Sequence, residues 1–298
     1  MSLITETNRS KTKHFTSPRM ILLGEKEISS LIYHDIFDYP LTPLELIKWT
    51  AGKGIKFKDL ENIKISTKNG FLFLNGKEGS TLKRLMRKRI SKRKLEKAKK
   101  AAKVLSFLPT VKMVAVTGAL AMNNANEDSD IDFLMITKKG SLWTTRLLAM
   151  GLLKIFRIPR RKYGERSTKD KLCLNIWLDE SDLTWSKSSR DIYTSHEISQ
   201  IIPLVNKDQS YERFLSKNTW IADYWPNATS AKVGKEKKRS KTKKRGFVIR
   251  FTEPLTRRAQ YWYMRDKITR ETITPTRALF HPVDWASFIS LKLELYHG

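Results

Sequence analysis

The chain has 298 residues, and its 40% hydrophobic content is enough for two or three small domains with cores of their own. Lysine and arginine number 58 against 30 acidic residues, a net charge of +28, which favours polyanionic partners through phosphate neutralisation and counterion release. A single cysteine, Cys173, excludes intramolecular disulfides and cysteine-cluster zinc sites. The longest apolar run, Leu147 to Leu153, is far short of a membrane span. Residues 1–19 are polar without the apolar core of a secretory signal, so they read as a disordered tail and a cytoplasmic location is expected.

Residues 20–80 read as a small module of helices and a hairpin. A helix over Glu25–Ile36 places Ile28, Leu31, Ile32 and Ile36 on one face. After the turn Phe37-Asp38-Tyr39-Pro40, Thr42 as N-cap, Pro43 at the first helical position and Glu45 at the third form a capping box. The helix they start carries Leu44, Leu46, Ile47 and Trp49 and stops at Gly52 and Gly54. Ile63-Lys64-Ile65 and Phe71–Leu74 flank Lys68-Asn69-Gly70, a hairpin signal. This order resembles a winged-helix module, a type that binds DNA or serves in dimerisation and docking. No recognition helix is evident in 53–62, where Lys53, Lys56 and Lys58 mix with Asp59 and Glu61.

One long helix is expected over 81–107, with Leu82, Leu85, Met86, Ile90, Leu95, Ala98, Ala102 and Leu105 as its apolar stripe. The rest of its surface is basic, from Lys83 and Arg84 to Lys100 and Lys103, and only Glu96 opposes it. Like charges at i,i+4 destabilise a helix, so a nucleic acid lying along this face would offset the repulsion.

Pro109 ends that helix, and a strand over 112–117 runs into a glycine turn at Gly118. A second strand carries Asp130 and Asp132 ahead of Phe133-Leu134-Met135-Ile136. Side chains at i and i+2 of a strand share a face, so the two carboxylates project together and repel. A hard divalent cation such as Mg²⁺ is the simplest compensation, and the glycine turn lets backbone N–H groups approach a phosphate. Lys138-Lys139-Gly140 is then a turn, Ser141 can cap a helix from Leu142 to Phe156, and Arg157, Arg160, Arg161, Lys162 and Arg166 form a basic loop near the carboxylates. Leu172–Leu178 reads as a buried strand whose one polar residue is Asn175. Asp179 shares the strand parity of Asn175 but lies about 13 Å further along at ~3.3 Å per residue.

Residues 186–228 read as helical, with Ile192, Ile198, Ile201, Ile202 and Leu204 followed by Tyr211, Phe214, Trp220, Tyr224 and Trp225 as core, one or two of the aromatics being free to stack a base. His196-Glu197-Ile198-Ser199-Gln200 lacks the second histidine of a zinc helix, so no zinc site is expected there. Residues 229–246, from Lys232 to Arg245, form a basic linker that is a second candidate nucleic-acid contact. A helical segment over 247–298 is broken at Pro275 and Pro282, with His281 as a turn or packing residue. There is no Walker loop and no G-x-G-x-x-G turn.

Thr117-Gly118-Ala119, ten residues, then Asp130-Ile131-Asp132-Phe133 resembles the signature of the nucleotidyltransferase superfamily, which includes DNA polymerase beta and the CCA-adding enzymes. The resemblance covers roughly 95–180. It implies an α/β (α+β) polymerase-beta-like nucleotidyltransferase domain over 81–185, between the winged-helix-like module and the C-terminal helical region. It makes Asp130 and Asp132 the Mg²⁺ ligands and Thr117, Gly118 and Ala119 the nucleoside triphosphate turn. Ala119 stands where the family has Ser or Gly, which removes a hydroxyl donor and leaves the backbone N–H. Catalytic relatives carry a third Asp or Glu on the following strand. Asn175 occupies that place, and Asp170 is a candidate substitute. The implied activity is Mg²⁺-dependent transfer of a nucleoside monophosphate to an acceptor hydroxyl with release of pyrophosphate. The alternative is a non-catalytic nucleotide-sensing, nucleic-acid-binding regulator.

Overall fold

The computed structural model describes residues 23–56, 60, 63–162, 164–165, 167–230, 247–269, 271–280 and 284–295. The expected tail over 1–19, most of the basic linker, Lys58, Asp59, Glu61, Arg166, His281 and Pro282 lie outside the described residues.

The N-terminal elements follow their local signals. Helix α1 spans Glu25–Asp35 and α2 spans Pro43–Lys48. The Thr42/Glu45 capping box is formed, with the Thr42 N–H donating to Glu45 at 3.0 Å and the Glu45 N–H to Thr42 Oγ1 at 3.3 Å. The hairpin of β1, Ile65–Lys68, and β2, Phe71–Leu74, turns through Asn69 and Gly70 at φ +52° and +77°, the left-handed pair that matches strand twist. Between α2 and β1 the Gly52 and Gly54 N–H groups donate to Tyr224 O and Asp223 O at 2.7 and 2.8 Å. A Cβ on Gly52 would sit 2.3 Å from Asp223 O, so glycine permits this approach.

Helix α3, Gly79–Leu105, corrects the expected stripe. Leu82 and Met86 are exposed (64% and 57%), while Arg84 and Lys94 are buried (4% and 2%). Polar anchors decide which face turns inward. Arg84 donates to Glu45 at 2.7 Å and Tyr39 OH at 2.5 Å. Ser91 Oγ accepts the Ala125 N–H at 3.0 Å. Lys94 Nζ donates to Glu127 O, Ser129 O and Asp170 at 2.9, 2.8 and 2.9 Å. Only the C-terminal half, Ala98, Ala102 and Leu105, packs as the pattern implies.

The remaining elements are β3 (Val111–Val116), α4 (Gly118–Ala121), β4 (Ile131–Thr137), α5 (Leu142–Ile155), β5 (Leu172–Asp179), α6 (Ile192–Gln200), β6 (Ile202–Asn206), α7 (Ser210–Ser216), α8 (Pro226–Ser230), α9 (Phe247–Met264), β7 (Thr272–Ile273), β8 (Arg277–Leu279) and α10 (Trp285–Glu294). They build a mixed sheet in the order β6-β3-β4-β5-β8-β7, in which β4 and β5 are parallel and the other pairs antiparallel. The regions read as helical from sequence therefore supply three strands. Ile202-Pro203-Leu204-Val205 sits at a sheet edge, where the missing proline N–H is tolerated. Ser141 does not cap α5, since its hydroxyl donates to Lys138 O at 2.6 Å. Glu253 of α9 caps it, accepting the Trp143 and Thr144 N–H groups at 2.6 and 2.8 Å.

Each sheet face has its own core. Val114, Val116, Phe133, Met135 and Trp177 pack on α3 and α5. Met113, Ala115, Leu134, Ile136, Ile176 and Leu178 face α6 and α7 through Ile198, Phe214 and Leu215. A third core joins α1, α2 and the hairpin to Trp225, Ala228, Ile289 and Leu293, and an aromatic cage holds α6 against it, with the Trp49 and His196 ring centroids 4.3 Å apart. No described helix is long and apolar enough to cross a membrane.

Replacing Lys94 by Met takes the side-chain donor from Glu127 O, leaves Ser129 O with the Asp170 N–H alone and weakens the hold on Asp170. Urea unfolding of Lys94→Met is expected to show a loss of about 2–3 kcal/mol, against a change within about 0.5 kcal/mol for the exposed Lys92→Met.

Candidate active site

β3 ends at Val116, and the Thr117 N–H donates to Asp132 O at 3.1 Å, so the turn is stitched to β4. Gly118 follows at φ +62°, and a Cβ there would lie 2.8 Å from Asp132 Oδ2. Glycine is needed twice over, for the left-handed backbone and for the closeness of the carboxylate. Thr117, Gly118 and Ala119 line the same cleft as Asp130, Asp132 and Asn175, so all the expected site residues are brought together. The cleft measures about 440 Å³.

Asp130 precedes β4, and Asp132 points to the α6 side of the sheet with Leu134 and Ile136. Arg161 Nη1 donates to Asp130 at 2.9 Å, and Asn175 Nδ2 donates to Asp132 Oδ1 at 2.9 Å. Of the expected basic loop, Arg161 reaches the cleft. Cys173 completes a trio whose carboxylate oxygens and Sγ lie within 4.8 Å of one another. Burial, then Asp132 and Asp130, push its thiol far up, so it stays protonated at neutral pH.

Pairing with Asp132 puts Cys173 on its side, and Asn175, two residues on, shares that side by alternation. Leu134 then pairs with Ile176, so β5 carries one extra residue. That bulge breaks the strand parity, and it corrects the reading of Asp179. Asp179 leaves the face of Asn175 and instead accepts the Gly140 and Ser181 N–H groups at 2.6 and 2.9 Å. Asp170 is not a substitute acid either: it is held by Lys94 and Lys97 at 2.9 and 2.6 Å and does not line the cleft.

Sequence reasoning missed Glu197. It lies in the segment set aside as a failed zinc helix, and its place in the site depends on α6 packing across the sheet face that carries Asp132. Glu197 Oε2 accepts the Gly118 N–H at 3.1 Å, and Oε1 accepts Gln200 Nε2 at 2.5 Å. His196, one residue earlier, points into the aromatic cage, and burial holds its pKa well below the usual value. The cleft is also lined by aromatics, Phe37 and Tyr39 from the N-terminal module, Tyr193 from α6, and Phe280 and Trp285 from the C-terminal segment.

Burial acts first on the acids of the cleft. Burial, then Asp130 and Glu197, hold the Asp132 carboxyl far above the usual carboxylate range. Burial pushes Glu197 up to about 7 against the opposing pull of its Gly118 and Gln200 hydrogen bonds. Asn175 Oδ1 is buried with no hydrogen-bond partner. Two carboxylates and an unsatisfied amide oxygen are a hard donor set, and they suit a hard divalent cation.

Residues 98–178 match the nucleotidyltransferase domain family. This segment is a nucleotidyltransferase domain. No curated protein and no solved structure matches the chain. The nucleotidyltransferase domain runs from the C-terminal part of α3 to β5, so it contains Gly118, Asp130, Asp132 and Asn175 and leaves out Glu197.

Gly118→Ala forces a positive φ on alanine and drives a methyl into Asp132. Calorimetry is expected to show a loss of about 2 kcal/mol in stability and no gain in melting temperature on adding Mg²⁺. The acids also set a pH dependence. An unfolded Asp titrates near about 4, while the folded Asp132 keeps its proton to higher pH. Over that window the folded state binds more protons than the unfolded chain, so stability of the metal-free protein falls as pH rises. Melting temperatures between pH 5 and 8 should decline, and Asp132→Asn should flatten the decline.

Proposed function

We propose that the protein is a Mg²⁺-dependent nucleotidyltransferase that moves a nucleoside monophosphate from a nucleoside triphosphate to an acceptor hydroxyl and releases pyrophosphate. The observation that carries this reading is the contact of the left-handed Gly118 turn with Asp132, beside Asp130, inside the matched domain. Asp130 and Asp132 would hold the cation, with Asn175 Oδ1 beside them. Bound there, the cation would stabilise charge on the attacking and leaving oxygens. Thr117, Gly118 and Ala119 would orient the triphosphate through backbone N–H groups. Arg161, ion-paired with Asp130 at 2.9 Å, would keep that carboxylate in place.

The cleft supports a domain plan in which 20–80 forms a wall of the site, 81–185 the catalytic core, 186–228 the substrate-side region, 229–246 a linker and 247–298 a closing segment. Phe37, Tyr39 and Trp285 give the outer parts that role. A cytoplasmic setting fits a nucleoside triphosphate substrate. Nucleic acid as acceptor or ligand is supported by α3, where Lys88, Arg89 and Lys103 have no acidic partner among the described residues. The second reading, a nucleotide sensor without turnover, is favoured by Asn175 standing in the place of the third strand acid.

Labelled nucleoside triphosphates with Mg²⁺, offered with cell RNA, protein and small molecules, decide between the readings. Transfer by the native protein that Asp130→Ala and Asp132→Ala both abolish is expected. Metal-dependent nucleotide binding without transfer supports the sensor instead.

A further inference from the structure

β5 brings an amide to Asp132 where an acid is expected, and the third carboxylate of the cleft arrives from α6. We propose that Glu197 takes the proton of the acceptor hydroxyl, and that the bound triphosphate releases Glu197 for this task by taking over the Gly118 N–H. The assignment rests on the nucleotidyl-transfer reading above.

Elimination and geometry meet here. Asp130 is committed to Arg161, Asp170 to Lys94 and Lys97, and Asp179 to the Gly140 turn. The Cys173 thiol is too weak an acid to exchange protons at neutral pH. Glu197 lines the cleft from a rigid helix. Asp191 caps that helix by accepting the Thr194 N–H at 2.7 Å, and the His196 ring packs on Trp49 and Tyr33. Fixed elements of this kind hold a reacting group to its geometry.

The Gly118 N–H is the pivot. It now donates to Glu197 Oε2 at 3.1 Å, and it is also the amide that would face a phosphate oxygen. Two anions cannot share it. When phosphate takes the amide, Glu197 loses a hydrogen bond to its charged form and becomes a stronger base. Gln200 Nε2, which bonds both Glu197 Oε1 and Gly118 O, keeps the carboxylate at the turn while it changes partner. Its resting pKa of about 7 already suits proton transfer near neutral pH.

The step balances. The acceptor O–H bond breaks and its proton goes to Glu197. The acceptor oxygen bonds to the α-phosphorus as the bond from that phosphorus to the α,β-bridging oxygen breaks. Pyrophosphate leaves with that electron pair, and Glu197 returns its proton to water.

Glu197→Gln keeps the shape and removes the base. Pyrophosphate release in cell extract is expected to fall about 100-fold or more. Calorimetric binding of α,β-methylene nucleoside triphosphates with Mg²⁺ should tighten about fivefold, because the neutral amide competes less for Gly118. Turnover equal to wild type overturns the proton role. Weaker nucleotide binding together with a lower melting temperature shows a structural residue and overturns it as well. Absence of pyrophosphate release from the wild type defeats the transfer reading itself, whereas wild-type turnover matched by the variant defeats only the role of Glu197.

Discussion

The contact between Gly118 and Asp132 sets the terms for everything around it. The turn must be left-handed to bring its backbone against β4, and only a residue without Cβ leaves room for the carboxylate. Once Asp132 is pressed into that turn, it cannot shed its charge into water. Its neighbours must then be chosen to tolerate a buried acid, and Asn175 and Cys173 are polar groups without charge. The same closeness leaves the Gly118 N–H facing α6, where Glu197 meets it.

The sheet explains why the acids meet. Asp132 shares a face with Leu134 and Ile136, and that face is covered by α6 and α7 rather than by the long basic helix. The opposite face takes α3 and α5. The parallel pair β4–β5 presents Asp132 to Cys173, Asn175 two residues on shares that side by alternation, and the extra residue in β5 turns Ile176 to it as well. Without the bulge, strict alternation would place Asp179 on that side and leave the turn at Gly140 without its acceptor.

Local rules were legible where a few neighbouring residues decide the outcome. The Thr42–Glu45 capping box, the Asn69-Gly70 hairpin, the β3 turn and the paired aspartates could all be read from short spacings. Features fixed by distant partners could not. The inward face of α3 is set by Glu45, Ala125, Glu127, Ser129 and Asp170, which outbid the leucines of its first half. The cap of α5 comes from Glu253, more than a hundred residues away. β6 and β7 are the sheet edges and β8 a three-residue strand between β5 and β7, and their pairing, not their periodicity, makes them strands. Glu197 was invisible for the same reason: its neighbours in sequence suggest a metal helix, while its neighbours in space are the turn and the second aspartate.

Charge is distributed against the average. The chain carries a net +28, yet the cleft gathers Asp130, Asp132 and Glu197, with Arg161 paired to Asp130. A cationic surface raises the local concentration of phosphates, but a bare triphosphate entering this cleft meets carboxylates held in a low-dielectric pocket, where repulsion is screened least. Burial raises the pKa values of Asp132 and Glu197, so a positive charge brought near would favour their ionised forms. On the proposed reading, a divalent cation entering with the nucleotide would resolve the conflict for both partners. The arrangement would then discriminate at two ranges, attracting polyanions from afar and admitting at the acidic end those whose charge a metal has already reduced.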